Sequence, residues 1–314
     1  MKLGMAEREG RLSLLISAGL SDSFVSWKKI QDWAAREKLL QEVHTLSDFI
    51  QKSEGLLPWL LKKEAEWKEL ETLPSESIHW ALPFRPYSFR DFYCFEEHVK
   101  KGREGRGLPM LDQWYEKPVF YYSNPLSFVG PGLVPYPRAS EAMDFELEIA
   151  CVLGRPLFNA SLEEAHEAIL GYSLLNDWTA RDFQGWEMKL NLGPTKGKDF
   201  CSSLGSFLVT KESLEKFRSG KGYDLEFCLR LNSKEFCRAN WKAIQFSFEE
   251  MLVRASQNCR LYPGELLGSG TMGGGCLMER NLSQESPSWL KPGDEVELSC
   301  ETLGLKLLNR VVES

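Results

Sequence analysis

Residues 142–154, AMDFELEIACVLG, set the tightest condition on how this chain can fold. Asp144, Glu146 and Glu148 alternate with Phe145, Leu147 and Ile149, the period of a β-strand, so three acids share one face. The IACVLG that follows keeps no polar face for water and reads as a strand buried on both sides. An exposed acidic face is the ordinary alternative. On a partly buried face, like charges repel unless bases or a cation neutralise them. Carboxylates at i and i+2 can converge on one hard cation, which takes oxygen ligands.

A second stretch, 176–200, NDWTARDFQGWEMKLNLGPTKGKDF, gathers an acid, an arginine, an amide and a lysine between glycines. GYSLLND reads as a buried strand that ends at Asp177. Two helical turns over Thr179 to Trp186 would turn Asp177, Arg181 and Gln184 the same way. Gly193-Pro194 and Gly197 then bend the chain and deliver Lys198. Read plainly, Asp177 caps a helix and Arg181 is its ion-pair partner.

The segment from Tyr87, YSFRDFYCFEEHVKKG, reads as a helix with Ser88 as N-cap, ending before Gly102 and Gly105. Asp91 and His98, seven apart, would then share a face with Phe95 between them. A carboxylate and an imidazole on such a stripe need partners. Taken singly, Asp91 is a first-turn acid favoured by the helix dipole, and His98 a satisfied core histidine. Further on, LYPGELLGSGTMGGGCLMER predicts a turn at Pro263-Gly264, a short strand from Glu265 to Gly268, and a glycine-rich loop from Gly270-Thr271 to Glu279.

The frame around these stretches is that of a soluble globular protein: 314 residues, 43% hydrophobic and 26% charged. A net charge of −7 speaks against a nucleic-acid binder, and Lys100, Lys101, Arg103 and Arg106 read as a solvated loop. No membrane-spanning run or signal peptide is apparent, and eight scattered cysteines without a CxxC pair read as reduced thiols, so a cytoplasmic protein is expected. Lys2–Met5 and Arg11–Ile16 read as a hairpin, and 25–71 as helices, with Thr45 or Ser47 capping the one that starts at Leu46. The expected division is a small N-terminal α/β segment, 1–74, and a larger domain, 75–314. Later elements read as a hairpin (Leu225–Leu231 with Glu235–Arg238), a helix (Phe248–Ser256) and two terminal strands (Asp294–Cys300, Lys306–Val312).

In this order, the motifs RDFYCFEEH, MDFELEIACVLG, NDWTARDFQGWE, GPTKGKDF and GSGTMGGGCLMER resemble the fumarylacetoacetate hydrolase family over roughly Phe89 to Val312. The resemblance implies an α+β fold, a mixed β-rich roll. It implies a divalent cation, Mg²⁺, Mn²⁺ or Ca²⁺, on Asp91, Glu146, Glu148 and Asp177. It makes His98 the catalytic base, paired with Glu279, and gives Lys198 to the oxyanion. Tyr93, Arg181, Gln184 and Thr271 become substrate contacts. Hydrolysis of a carbon–carbon bond in a diketo acid, such as fumarylacetoacetate or an acylpyruvate, by a homodimer is the implied activity. The alternatives are an oxo-acid decarboxylase, isomerase or hydratase with the same metal site, and a noncatalytic protein with a structural cation. Two positions depart from the family pattern: Met188 stands where the namesake enzymes place a tyrosine, and Arg106 is the nearest candidate for a substrate-binding arginine.

Overall fold

The computed structural model describes residues 1–8, 10–191 and 193–314. Apolar alternation builds a 12-stranded mixed sheet among them. Its main path runs Leu73–Pro74, Ser23–Ser26, Arg11–Ser17, Lys2–Arg8, Phe207–Thr210, Ile169–Asn176, Leu147–Leu153, Leu266–Gly268, Phe89–Phe92 and Phe120–Ser123. A five-stranded sheet has the order Lys234–Asn240, Glu226–Leu231, Glu295–Cys300, Leu305–Val312 and Gly132–Pro135. Both paths have free ends, so neither closes into a barrel.

Side chains leave a strand alternately on opposite faces, and here the faces serve two cores. Ile149, Cys151, Leu153, Tyr172, Leu174 and Val209 pack with Phe227, Leu229, Val296, Leu298 and Leu307 of the smaller sheet. Ala150, Val152, Leu170, Leu175, Leu208 and Leu266 pack with the N-terminal Trp27, Ile30, Leu46, Phe49, Leu56 and Leu60. The N-terminal hairpin is Lys2–Arg8 with Arg11–Ser17, and it joins the large sheet through Lys2 opposite Val209 and Gly4 opposite Phe207. Segment 1–74 is thus tied to the rest by main-chain bonds as well as by packing. No helix among the described residues is long and apolar enough to cross a membrane, and all eight cysteines are free.

Thr45 caps the helix Leu46–Gln51: its hydroxyl accepts from the Asp48 N–H while the Asp48 carboxylate accepts from the Thr45 N–H. Thr45→Ala should cost about 1 kcal/mol of stability, read as a lower urea midpoint with an unchanged m-value.

Three local expectations need correction. No helix starts at Ser88: Phe89–Phe92 is a strand, buried at all four positions, parallel to Leu266–Gly268 and antiparallel to Phe120–Ser123. The helix begins only at Glu96, so Asp91 and His98 sit on different elements. Phe89, Phe92 and Phe95 have helical spacing, but a strand between two neighbours buries both of its faces. That helix extends to Glu104, which makes Lys101 and Arg103 helical rather than part of a solvated loop. The acidic strand breaks after Asp144, into Met143–Asp144 and Leu147–Leu153, and Asp144 leaves the company of Glu146 and Glu148.

The parallel pairing is locked by a buried ion pair. Arg90 donates to Glu265, which also accepts from the Ser88 hydroxyl at 2.7 Å and from the Tyr262 N–H at 2.9 Å. The guanidinium lies 5.0 Å from the Tyr122 ring centroid. This clamp fixes where Asp91 stands relative to Gly268.

Candidate active site

Strand register brings four acids to one place. Gly268 lies opposite Ala150 on one side and Asp91 on the other. Leu147 pairs with Asn176, so Glu146 and Glu148 flank the point where the next strand hands over to Asp177. The Glu146 N–H donates to Asn176 Oδ1 at 2.9 Å. Asp91, Glu146, Glu148 and Asp177 are all buried, and one oxygen from each lies within 4.8 Å of the others. Glycine is required at 268, because a Cβ there would collide with Asp91 Oδ1 and lie 3.0 Å from Glu148 Oε2.

Two of the four acids are satisfied. Asp177 accepts from the Lys198 ammonium at 2.5 Å, the Tyr121 hydroxyl at 2.6 Å and the Ser202 hydroxyl at 3.1 Å. Glu146 accepts from Lys198 and, at 2.7 Å, from Arg181. Burial alone would raise the Glu146 pKa, but Lys198 and Arg181 hold it at about 2. The other two acids lack such partners: Asp91 Oδ1 and both Glu148 oxygens are buried without a donor. Burial, then the charge of Asp177, pushes Asp91 up to about 7. Burial and the charge of Asp91 push Glu148 well above the usual carboxylate range. Carboxylates this close and this buried repel one another unless a cation or a proton neutralises them. A divalent cation fits what the residues present, namely oxygen donors alone, unpaired lone pairs and more carboxylates than bases.

His98 and Glu279 face each other a few residues away in space. His98 comes from the helix Glu96–Glu104, and its Nδ1 lies 2.7 Å from Glu279 Oε1. The second Glu279 oxygen accepts from the Gly274 N–H at 2.8 Å. Burial raises the Glu279 pKa, but these hydrogen bonds, with His98 the stronger influence, bring it below the ordinary value. With Nδ1–H donating to a carboxylate, Nε2 keeps its lone pair and can accept a proton. The Tyr93 ring meets the imidazole edge-on, with centroids 5.6 Å apart, and burial pushes its hydroxyl up to about 12.

Asp144 sets Glu279 in place. It accepts the Leu277 N–H at 2.7 Å and the Met278 N–H at 3.0 Å, the first amides of the short helix Leu277–Asn281 that carries Glu279. It also accepts Arg181 Nε at 2.8 Å, and Arg181 reaches Gln184 Oε1 at 3.0 Å. Arg181 therefore braces Asp144 and Glu146, and does not pair with Asp177 as the plain reading had it. Since Gln184 spends its oxygen on Arg181, its amide NH₂ is left to donate. Lys198 follows a turn gathered by Glu187, which accepts the Thr195 N–H at 2.9 Å and the Lys196 N–H at 2.6 Å.

One cavity of ≈ 800 Å³ joins these groups: Asp91, Glu146 and Glu148 with His98, Lys198 and Gln184. Tyr93, Arg181 and Thr271 line it as well, whereas Asp177 lies behind Lys198. Its wall is apolar at Leu108, Val119, Met188 and Met278, and Arg106 is also present. Thr271 is delivered by Gly270, whose φ of +77° and approach to the Phe92 carbonyl exclude a side chain. Among the groups that escaped the sequence reading are Ser202, Glu187 and Asp144 in its role as anchor. Only Asp144 carried a signal, as the acid that opens the alternating run.

Known proteins resemble this chain in sequence and in fold. The family model for the fumarylacetoacetate (FAA) hydrolase C-terminal region matches residues 88–312, more than two thirds of the chain. A fumarylacetoacetase of Oryza sativa subsp. japonica is 26% identical, with 76% of this chain and 70% of that protein covered. A mitochondrial oxaloacetate tautomerase of Homo sapiens is 28% identical, with 85% and 80% covered. Among solved structures, the fumarylacetoacetate hydrolase of Exiguobacterium antarcticum superposes with a TM-score of 0.72 at 21% identity, over 100% of both chains.

Proposed function

The chain belongs to the fumarylacetoacetate hydrolase family, and from that premise we propose that it hydrolyses a carbon–carbon bond in a diketo acid, of the acylpyruvate or fumarylacetoacetate type, with a divalent cation bound. One observation carries the reading: His98, paired behind it with Glu279, opens into the same cavity as Lys198 and the unpaired carboxylates of Asp91 and Glu148. A structural cation alone would need neither the pair nor the cavity.

When bound, the cation would supply Lewis-acid polarisation of a chelating dicarbonyl, held by Asp91, Glu146, Glu148 and Asp177. The remaining chemistry falls to side chains. His98 Nε2 takes a proton from water, whose oxygen attacks the carbonyl carbon, and Glu279 stabilises the imidazolium that forms. The oxyanion is met by the Lys198 ammonium and the Gln184 amide NH₂. On collapse, the carbon–carbon bond breaks, its electron pair stays with the enolate fragment, and His98 returns the proton. Arg181, occupied by Asp144 and Glu146, keeps Glu146 oriented. The apolar wall at Leu108, Val119, Met188 and Met278 would take the tail of the acyl group.

A second reading is tautomerisation of an oxo-acid, in which His98 would move a C–H proton and no water would attack. The human relative named as an oxaloacetate tautomerase favours it. Purified protein with Mg²⁺ or Mn²⁺ should therefore be offered acylpyruvates, fumarylacetoacetate and oxaloacetate. Cleavage of a diketo acid into two products, lost on chelation, is the expected result. Keto–enol interconversion of oxaloacetate with no cleavage of any diketo acid would establish the tautomerase reading in its place.

A further inference from the structure

Glu279 is approached from two sides, and only one belongs to the site described so far. Opposite His98 lies a second cavity, of ≈ 630 Å³, lined by Lys101, Glu104, Phe236, Cys237, Arg280 and Leu282 together with Glu279 itself. From it the Lys101 ammonium reaches Glu279 Oε2 at 3.2 Å and Glu97 Oε1 at 2.7 Å. The Glu279 side chain is 2% exposed and that of Lys101 40%, so the contact links a buried carboxylate to a cation at the surface. A chain of contacts results: Glu97, Lys101, Glu279, His98. Arg280, the other base there, is spent on the Phe236 ring and carbonyl.

We propose that Lys101 is a positioning residue for the His98–Glu279 pair: it pins Glu279 Oε2 so that Oε1 stays on His98 Nδ1, and its charge restrains how strongly Glu279 favours the imidazolium. The proposal rests on the reading of His98 as the base. The Gly274 N–H alone leaves the carboxylate one anchor on Oε2, and a single hydrogen bond lets it pivot. Lys101 supplies the second anchor. The other groups that face the pair are Tyr93 edge-on to the imidazole, the Cys276 thiol 3.7 Å from Glu279 Oε1, and the Glu146 carboxylate, which His98 helps to keep ionised. Among the described residues, Lys101 is the side chain contacting Glu279 that is partly open to solvent, at 40% exposed against 6% for His98.

The test compares Lys101→Met, which keeps the aliphatic stem, with Lys101→Arg, which keeps the charge. Removing a cation beside the carboxylate leaves it freer to stabilise the imidazolium, so the His98 pKa should rise in Lys101→Met and the acid limb of kcat/KM should move to higher pH with it. Loss of the anchor should lower kcat about tenfold with KM unchanged, the pattern of an interaction made in the transition state. Lys101→Arg should restore kcat to within about threefold, and both variants should melt close to wild type, since surface ion pairs contribute little to stability. His98 titration by NMR needs no substrate, so it decides the proposal even if the hydrolase reading fails. An unmoved His98 titration in Lys101→Met, or an equal kcat loss in Lys101→Arg, would overturn it.

Discussion

If the chain cleaves a diketo acid as proposed, His98→Ala will lower kcat by at least about a hundredfold, the usual scale of general-base catalysis, while divalent-cation affinity stays nearly that of wild type. The geometry separates these effects. His98 lines the cavity but is not among the four acids, and its hydrogen bond goes to Glu279, so its loss leaves the oxygen cluster intact. Glu279→Gln should give a smaller loss in the same direction, because the amide can still hold the ring but no longer balances its charge. Titration calorimetry and steady-state kinetics on the same preparations check both parts. A His98→Ala protein that still cleaves the substrate at near wild-type rate excludes water activation by this residue.

Much of the site was legible because strand periodicity is a strong signal. Glu146 and Glu148 declare themselves as acids that alternate into a strand too apolar to face water, and Asp177 as the polar end of another such strand. Lys198 was legible as a base delivered after a bend. Asp91 and His98 were singled out together, but through the wrong element: they line one cavity from a strand and from the helix after it, and His98 pairs with Glu279 rather than with Asp91. Phe89, Phe92 and Phe95 fit helical spacing, and nothing local announces that Leu266–Gly268 and Phe120–Ser123 will sandwich the segment. Pairing at that sequence distance is a property of the tertiary fold. Asp144 shows the same limit from the other side: the alternation groups it with Glu146 and Glu148, yet a break after it turns its carboxylate to the amides of Leu277 and Met278. Lys101 was invisible for a simpler reason. A lysine among lysines on an exposed helix face carries no mark of the one carboxylate it reaches across the fold.

The acidic cluster yields a prediction whose two halves have opposite signs. Four buried carboxylates face Lys198, and Arg181 is divided between Glu146 and Asp144, so Asp91 and Glu148 have no base of their own. In the metal-free protein Glu148 therefore stands as an unpaired buried acid, which is destabilising. Glu148→Gln keeps the shape and removes the ionisable group, so the metal-free variant should melt at or above the wild-type midpoint. With Mg²⁺ or Mn²⁺ the order reverses. A ligand that binds only the folded state at a hundred times its Kd adds about 2.7 kcal/mol of stability, which the wild type should show as a rise in Tm. The variant loses an oxygen donor and a charge from the site. Residues that merely support a metal ligand cost about 10–100-fold in affinity when changed, so loss of the ligand itself should cost on the order of a hundredfold or more. At the same metal concentration the variant's Tm should then barely move. Calorimetry that finds equal affinity in both proteins would remove Glu148 from the site, and a metal-free variant that melts well below wild type would show that its carboxylate is paired after all.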